Sequence, residues 1–306
     1  SVIRGGQVRL AGGDDDVVRI WDPATGKEVI ALPGSGKGTM AVAFSPDGVR
    51  LFTAGVDKRL RIWDVATWKD ARTIIPGGDS IQALSVSPNG SLVAAAMDWG
   101  VIRFWEVESG DELPELRIHP RFASSVAFRP DGGAFVSTGG DNDVALHDFI
   151  AARVVWRSKG AGKRAVFSPD GAIVYCCDLG GPVYIVDAKT GKRDRALRAP
   201  QHKASSFAIS LDGKMLAISE YMSGDVVLWD LDRKEEVRRF PAGPTQLPGR
   251  HTYRASPHTH VPCTQMLSGV GGGPGGTDST TAGGSGRYSI SLSFASAQNP
   301  EVHPTP

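Results

Sequence analysis

The chain has 306 residues, 41 % hydrophobic and 22 % charged, the make-up of an ordinary soluble globular protein. Its net charge of +1 provides no field to draw nucleic acid or an anionic membrane, so neither is expected as a partner. No apolar run nears the ~18 residues of a membrane span, and Arg4, Arg9, Asp14, Asp15, Asp16 and Arg19 exclude the apolar core of a secretion signal.

Taken in chain order, residues 1–32 hold a Trp21-Asp22 pair, a Thr25-Gly26 turn and a strand at Glu28–Leu32. The segment Leu32-Pro33-Gly34-Ser35-Gly36-Lys37-Gly38-Thr39 then resembles the phosphate-binding loop of adenylate kinases, where backbone N–H groups and a lysine cradle phosphate at a helix N-terminus. Here Ala31 stands in the place of the opening glycine, and Met40–Phe44 reads as a strand, so no helix dipole would face a nucleotide. The segment is read as a plain connecting loop.

Two marks recur along residues 1–240. The first is a turn, Ser45-Pro46-Asp47-Gly48, repeated at Ser87–Gly90, Arg129–Gly132, Ser168–Gly171 and Ser210–Gly213, with its glycines 42, 42, 39 and 42 residues apart. Proline presets φ there, and glycine accepts positive φ at no steric cost. The second mark is Trp-Asp or a relic of it: Trp21-Asp22, Trp63-Asp64, Trp105-Glu106, His147-Asp148, Val186-Asp187 and Trp229-Asp230. Each turn follows an alternating segment such as Ala41–Phe44 or Ser206–Ile209, which puts one strand face into a core. A second strand, a loop, a third strand ending in the Trp-Asp pair, a Thr-Gly-type turn and a fourth strand complete each unit. Four short antiparallel strands per ~42 residues make a propeller blade.

These turns and Trp-Asp pairs resemble the WD-repeat family over residues 1–240. The fold expected is an all-β propeller with five full four-stranded blades and an incomplete N-terminal one, in a six- or seven-bladed ring. Blade bounds fall near 1–32, 33–75, 76–118, 119–157, 158–198 and 199–240. The first unit lacks its first strand: residues 7–32 align with the second to fourth strands, and Gly6 falls where the turn glycine belongs. Together with a start at Ser1, this predicts a piece of a larger protein. Residues 241–287, rich in Gly, Pro, Ser and Thr, are expected to be loop or disorder. Within 288–306 the alternating Tyr288-Ser289-Ile290-Ser291-Leu292-Ser293-Phe294 resembles a first strand, so residues 288–295 are expected to supply the one missing from the first blade.

The resemblance also implies structural positions. Trp21, Trp63, Trp105 and Trp229 would pack between blades. The family links His, Ser, Asp and Trp by hydrogen bonds, and the fullest matching set is His202, Ser219, Asp225 and Trp229, with Asp225 two residues out of place. The fourth blade offers His119, Ser137 and Asp141, with His147 in the tryptophan's position, and Asp57 holds a like place in the second blade. Loops joining the second to third strands, and one blade to the next, would gather on one docking face. Aromatic and Arg side chains dominate interface energy, so Arg59, Trp99, Arg121, Phe122 and Tyr221 on those loops are the expected protein-binding residues.

No nucleophile elbow, zinc-binding His pair or nucleotide fingerprint occurs. His251, His258, His260 and Cys263 form only a loose group in a Pro-rich stretch. Three cysteines, with Cys176 and Cys177 adjacent in a strand and pointing to opposite faces, make no disulfide framework, and one of the pair is expected to be a core residue. The expectation is a cytoplasmic, monomeric, non-catalytic scaffold for proteins or peptides, with no cofactor or metal. Its rivals are a propeller-type hydrolase with a central-channel site and an incomplete remnant.

Overall fold

A computed structural model describes residues 9–12, 17–22, 27–34, 38–78, 80–178, 180–197, 204–220 and 223–241. Turn chemistry sets its repeat. The Gly48 N–H donates to the Ser45 carbonyl at 2.9 Å, with Gly48 at φ 72°. Ser45 Oγ accepts the Arg50 N–H at 2.9 Å, and Asp47 Oδ1 accepts the Val49 N–H at 3.0 Å. Ser87, Ser168 and Ser210 accept the equivalent N–H groups of Leu92, Ile173 and Met215. At the third turn, in the fourth blade, Arg129 replaces serine, and its Nε donates to Asp131 Oδ1 at 2.8 Å.

Each of these turns joins the first two strands of a four-stranded antiparallel blade. The second blade runs β4 (Thr39–Phe44), β5 (Arg50–Gly55), β6 (Leu60–Asp64) and β7 (Lys69–Ile74). The third has β8 (Ile81–Val86), β9 (Leu92–Met97), β10 (Val101–Glu106) and β11 (Leu116–Arg117). In the fourth lie β12 (Ala123–Phe128), β13 (Ala134–Gly139), β14 (Asp143–Asp148) and β15 (Arg153–Lys159). The fifth comprises β16 (Arg164–Phe167), β17 (Ile173–Cys177), β18 (Val183–Asp187) and β19 (Arg193–Ala196). The sixth comprises β20 (Ala204–Ile209), β21 (Met215–Glu220), β22 (Val226–Asp230) and β23 (Glu235–Phe240). Ahead of them stands a three-stranded sheet of β1 (Arg9–Gly12), β2 (Val17–Trp21) and β3 (Glu28–Pro33). The all-β expectation of five full blades after an incomplete one is met.

First strands of successive blades lie side by side, β4 on β8, β8 on β12, β12 on β16 and β16 on β20, so they are innermost. In the first blade β1 meets β4 as β5 meets β8 and β13 meets β16. β1 is therefore a second strand, and among the described residues this blade has no innermost one. Residues 242–306, including the expected closing strand at 288–295, lie outside the described residues, as does Gly6.

One expectation is corrected here. Alternation was read as one buried face per strand, yet the middle strands are buried on both. In β5, Leu51 packs with Val18, Ile20 and Trp63 towards the first blade, while its neighbour Phe52 packs with Ile81, Val93 and Trp105 towards the third. Each of the second to fifth blades is sandwiched between two others, so alternate residues enter alternate cores, each buried large side chain being worth roughly 1.5–3 kcal/mol. Only outer strands such as β7 and β23 stay mostly exposed.

Candidate functional site

The second-to-third-strand loops and the inter-blade loops leave the strands at the end opposite the Pro-Asp-Gly turns, an outcome of antiparallel up-and-down order. Four of the five expected binding residues can be placed there; Tyr221 lies outside the described residues. Arg59 is exposed after a turn whose geometry Asp57 fixes: Oδ1 of Asp57 accepts the Arg59 N–H at 3.2 Å, and Oδ2 pairs with Arg61 at 2.6 Å. Leu60 pairs with Ile74, which sets Arg59 beside Ile75 where that ladder ends. Ile75 is 66 % exposed. The sequence reading passed over it, although an isoleucine just before Pro76-Gly77-Gly78 stands where an outer strand runs into a loop.

Trp99 is 69 % exposed and sits at φ 62°, ψ 18° in the one-turn 3₁₀ segment Asp98–Gly100. That left-handed conformation costs an ordinary L-residue about 1–2 kcal/mol. Neighbouring bonds hold it: Gln82 Nε2 donates to Asp98 Oδ1 at 3.0 Å, and the Gly100 carbonyl accepts the N–H groups of Ile118 and His119 at 2.9 and 3.1 Å. The approach is so close that a Cβ on Gly100 would lie 1.7 Å from the His119 carbonyl oxygen. Arg121 is exposed on the loop that Gly100 touches. Phe122 follows, 37 % exposed, with its ring against Gly140 and Lys163 Nζ 5.9 Å from the ring centre. Its carbonyl accepts the Gly140 N–H at 2.8 Å. Trp99, Arg121 and Phe122 thus share one stretch of surface over the third and fourth blades.

Beneath that stretch runs a buried polar chain. His119 Nδ1 lies 2.8 Å from Asp141 Oδ1, His119 Nε2 lies 3.0 Å from Ser137 Oγ, and Ser137 Oγ lies 3.0 Å from His147 Nε2. One proton arrangement satisfies every contact: His147 Nε2–H donates to Ser137, Ser137 O–H donates to His119 Nε2, and His119 Nδ1–H donates to Asp141. Arg157 lies 3.8 Å from the other Asp141 oxygen and donates to the Ile118 carbonyl at 2.7 Å. Burial lowers the His119 pKa against the pull of Asp141, and burial, aided by His119 and Arg157, drives His147 to about 3. Both rings are neutral near neutral pH. Asp141, His119 and Ser137 have the order of a nucleophile triad, but Ser137 is 1 % exposed and its oxygen already accepts from His147. In this conformation no substrate carbonyl can reach it.

The position of His147 identifies the pattern. Trp63 Nε1 donates to Thr53 Oγ1 at 2.9 Å, the two being ten residues apart, as are Ser137 and His147. Compared with protein families, residues 26–64 and 69–106 match the one described as WD domain, G-beta repeat. The chain carries WD repeats, and its fold is a β-propeller. Each matched stretch begins near the outer strand of one blade and ends in the third strand of the next, so a WD repeat here straddles two blades. No curated protein matches the chain.

Within the WD-repeat blades, Trp63 packs on Val18 and Ile20, Trp105 on Phe52 and Ile62, and Trp229 on Tyr175 and Val183, each against the preceding blade. The Trp21 side chain and His202 lie outside the described residues. Of the set around Trp229, only Ser219, Asp225 and Trp229 lie among the described residues. Ser219 Oγ bonds Ser205 Oγ and the Ser206 carbonyl, Asp225 pairs with Arg239, and buried Trp229 Nε1 has no partner among the described residues. Among those residues the joined chain is the one in the fourth blade.

Other candidates resolve into packing. Gly38 is followed at once by β4, and Ser35–Lys37 lie outside the described residues. Cys176 and Cys177 are both fully buried, one in the core towards the fourth blade and the other towards the sixth, where only one had been expected in a core. Burial pushes both thiols up to about 12. Among the described residues no three His, Cys, Asp or Glu gather to hold a metal, and no helix is long and apolar enough to cross a membrane. His251, His258, His260 and Cys263 lie outside the described residues.

Proposed function

We propose that this WD-repeat propeller is a non-catalytic scaffold that holds proteins or peptides against the loop end of its blades. One observation carries the reading. Among the described residues the exposed aromatic side chains are Trp99 and Phe122, both at that end, on loops fixed by backbone hydrogen bonds. Aromatic groups already held in place lose little entropy on binding, which is how a few residues come to dominate an interface. A net charge of +1 favours protein over nucleic-acid partners, and buried unpaired thiols suit a reducing compartment such as the cytoplasm. We take the working state to be a monomer.

The hydrolase reading draws on the triad order of Asp141, His119 and Ser137, and its burial weighs against it. Quantitative affinity capture with the wild type, Trp99→Ala and Phe122→Ala tests the scaffold reading. A shared set of partners lost from both variants supports it, and partners retained by both overturn this face.

A further inference from the structure

We propose that the loop end takes an acidic peptide segment bearing apolar side chains, laid across the second to fourth blades; this rests on the scaffold reading and names its partner's chemistry. Apolar and cationic groups alternate along that arc. Ile75 stands beside Arg59 over the second blade, and Trp99 and Phe122 flank Arg121 over the third and fourth. Lys58, Arg59 and Arg121 are exposed, and among the described residues their side chains make no ion pair. Of the described acids on the same arc, Asp57 is paired with Arg61 and Asp141 with Arg157, while Asp98, which accepts from the neutral Gln82 amide, and Asp143 form no ion pair; the three exposed cations outnumber these two. The charge left for a ligand is positive.

An exposed guanidinium is a planar fork that binds a carboxylate through two parallel hydrogen bonds. Two guanidiniums and the Lys58 ammonium are too few to track a nucleic-acid backbone, whose binding depends on neutralising many phosphates. They do suit two or three carboxylates on a short peptide. Between them, the indole of Trp99 and the ring of Phe122 offer flat surfaces for its apolar side chains. Charge would set the register and the aromatic contacts most of the affinity.

The probe is a displayed library of random dodecapeptides, panned on the full chain, with enriched peptides and a uridine oligonucleotide then measured by fluorescence anisotropy. Enriched peptides are expected to carry two or more Asp or Glu with an aromatic or leucine residue. Raising salt from low to moderate should weaken binding several-fold, and both Arg59→Glu/Arg121→Glu and Trp99→Ala should weaken it tenfold or more. Neutral or basic enriched peptides, no enrichment, tighter binding of the oligonucleotide, or indifference to the charge reversal would overturn the proposal. If the acidic preference fails while Trp99→Ala still releases captured cellular proteins, the partner chemistry is wrong and the face stands. Loss of neither brings down both.

Discussion

His147 Nε2 lies 3.0 Å from Ser137 Oγ, and it fills, with an ionisable ring, the place where Trp63 donates to Thr53 two blades away. The imidazole stacks on Phe135 with ring centres 4.6 Å apart, so a titrating group sits inside a core of Phe104, Phe128, Phe135 and Phe149.

Acid should therefore loosen the fourth blade. His119 and His147 bind protons more weakly when folded than when unfolded, so their contribution is complete above the unfolded pKa of about 6.5. It falls as pH drops below that value, and for His147 it continues to fall until about 3. Each histidine adds at most about 1.4 kcal/mol of lost stability per pH unit. Urea midpoints at pH 7, 6 and 5 should decline in the wild type and decline less in His147→Phe. A wild-type stability that is flat from pH 7 to 5 would contradict this.

Ser137→Ala should be far more damaging than Ser219→Ala. The first leaves two buried imidazole nitrogens without partners, at about 2–3 kcal/mol. The second breaks bonds to Ser205 and Ser206 only, at about 1 kcal/mol. Equal losses by denaturant unfolding would mean that the polar chain of the fourth blade is not specially coupled.

Gly100 and Gly132 separate strain from collision. Both lie at positive φ, 73° and 76°, so alanine at either costs about 1–2 kcal/mol of backbone strain. Near Gly132 the closest atom to a new Cβ is Pro88 Cδ at 3.7 Å, whereas at Gly100 it is the His119 carbonyl oxygen at 1.7 Å. Gly100→Ala should therefore cost clearly more, and it alone should lower partner capture, because it displaces the loop carrying Arg121 and Phe122. Equal melting temperatures in the two variants would contradict the close contact.

The three-stranded first blade leaves the far edge of β1 unpaired among the described residues. If Tyr288–Phe294 fills it, removing residues 285–306 should lower the melting temperature by several degrees. An unchanged value would rule that segment out as the closing strand.

Much of this was legible in the sequence because turns announce themselves. Ser45-Pro46-Asp47-Gly48 and its copies named a bond pattern that the structure repeats at Ser87, Ser168 and Ser210. Burial on both strand faces was harder to read, because small residues such as Ala95 blur the alternation that Leu51 and Phe52 display. At the loop end, composition picked out Trp99 and Phe122 but not Ile75, whose exposure depends on how the outer strand ends. Which polar set connects was not legible either: residue types offered both sets, rotamers decide, and Ser219 turns to its own blade's first strand while His202 lies outside the described residues.

The most direct measurement is affinity capture with wild type, Trp99→Ala, Phe122→Ala and, from the sequence, Tyr221→Ala, each first shown to melt like the wild type. Partner proteins are expected to bind the wild type and to fall tenfold or more in Trp99→Ala and Phe122→Ala. Undiminished capture by folded variants, or no partner for the wild type, would contradict a scaffold that works through this face.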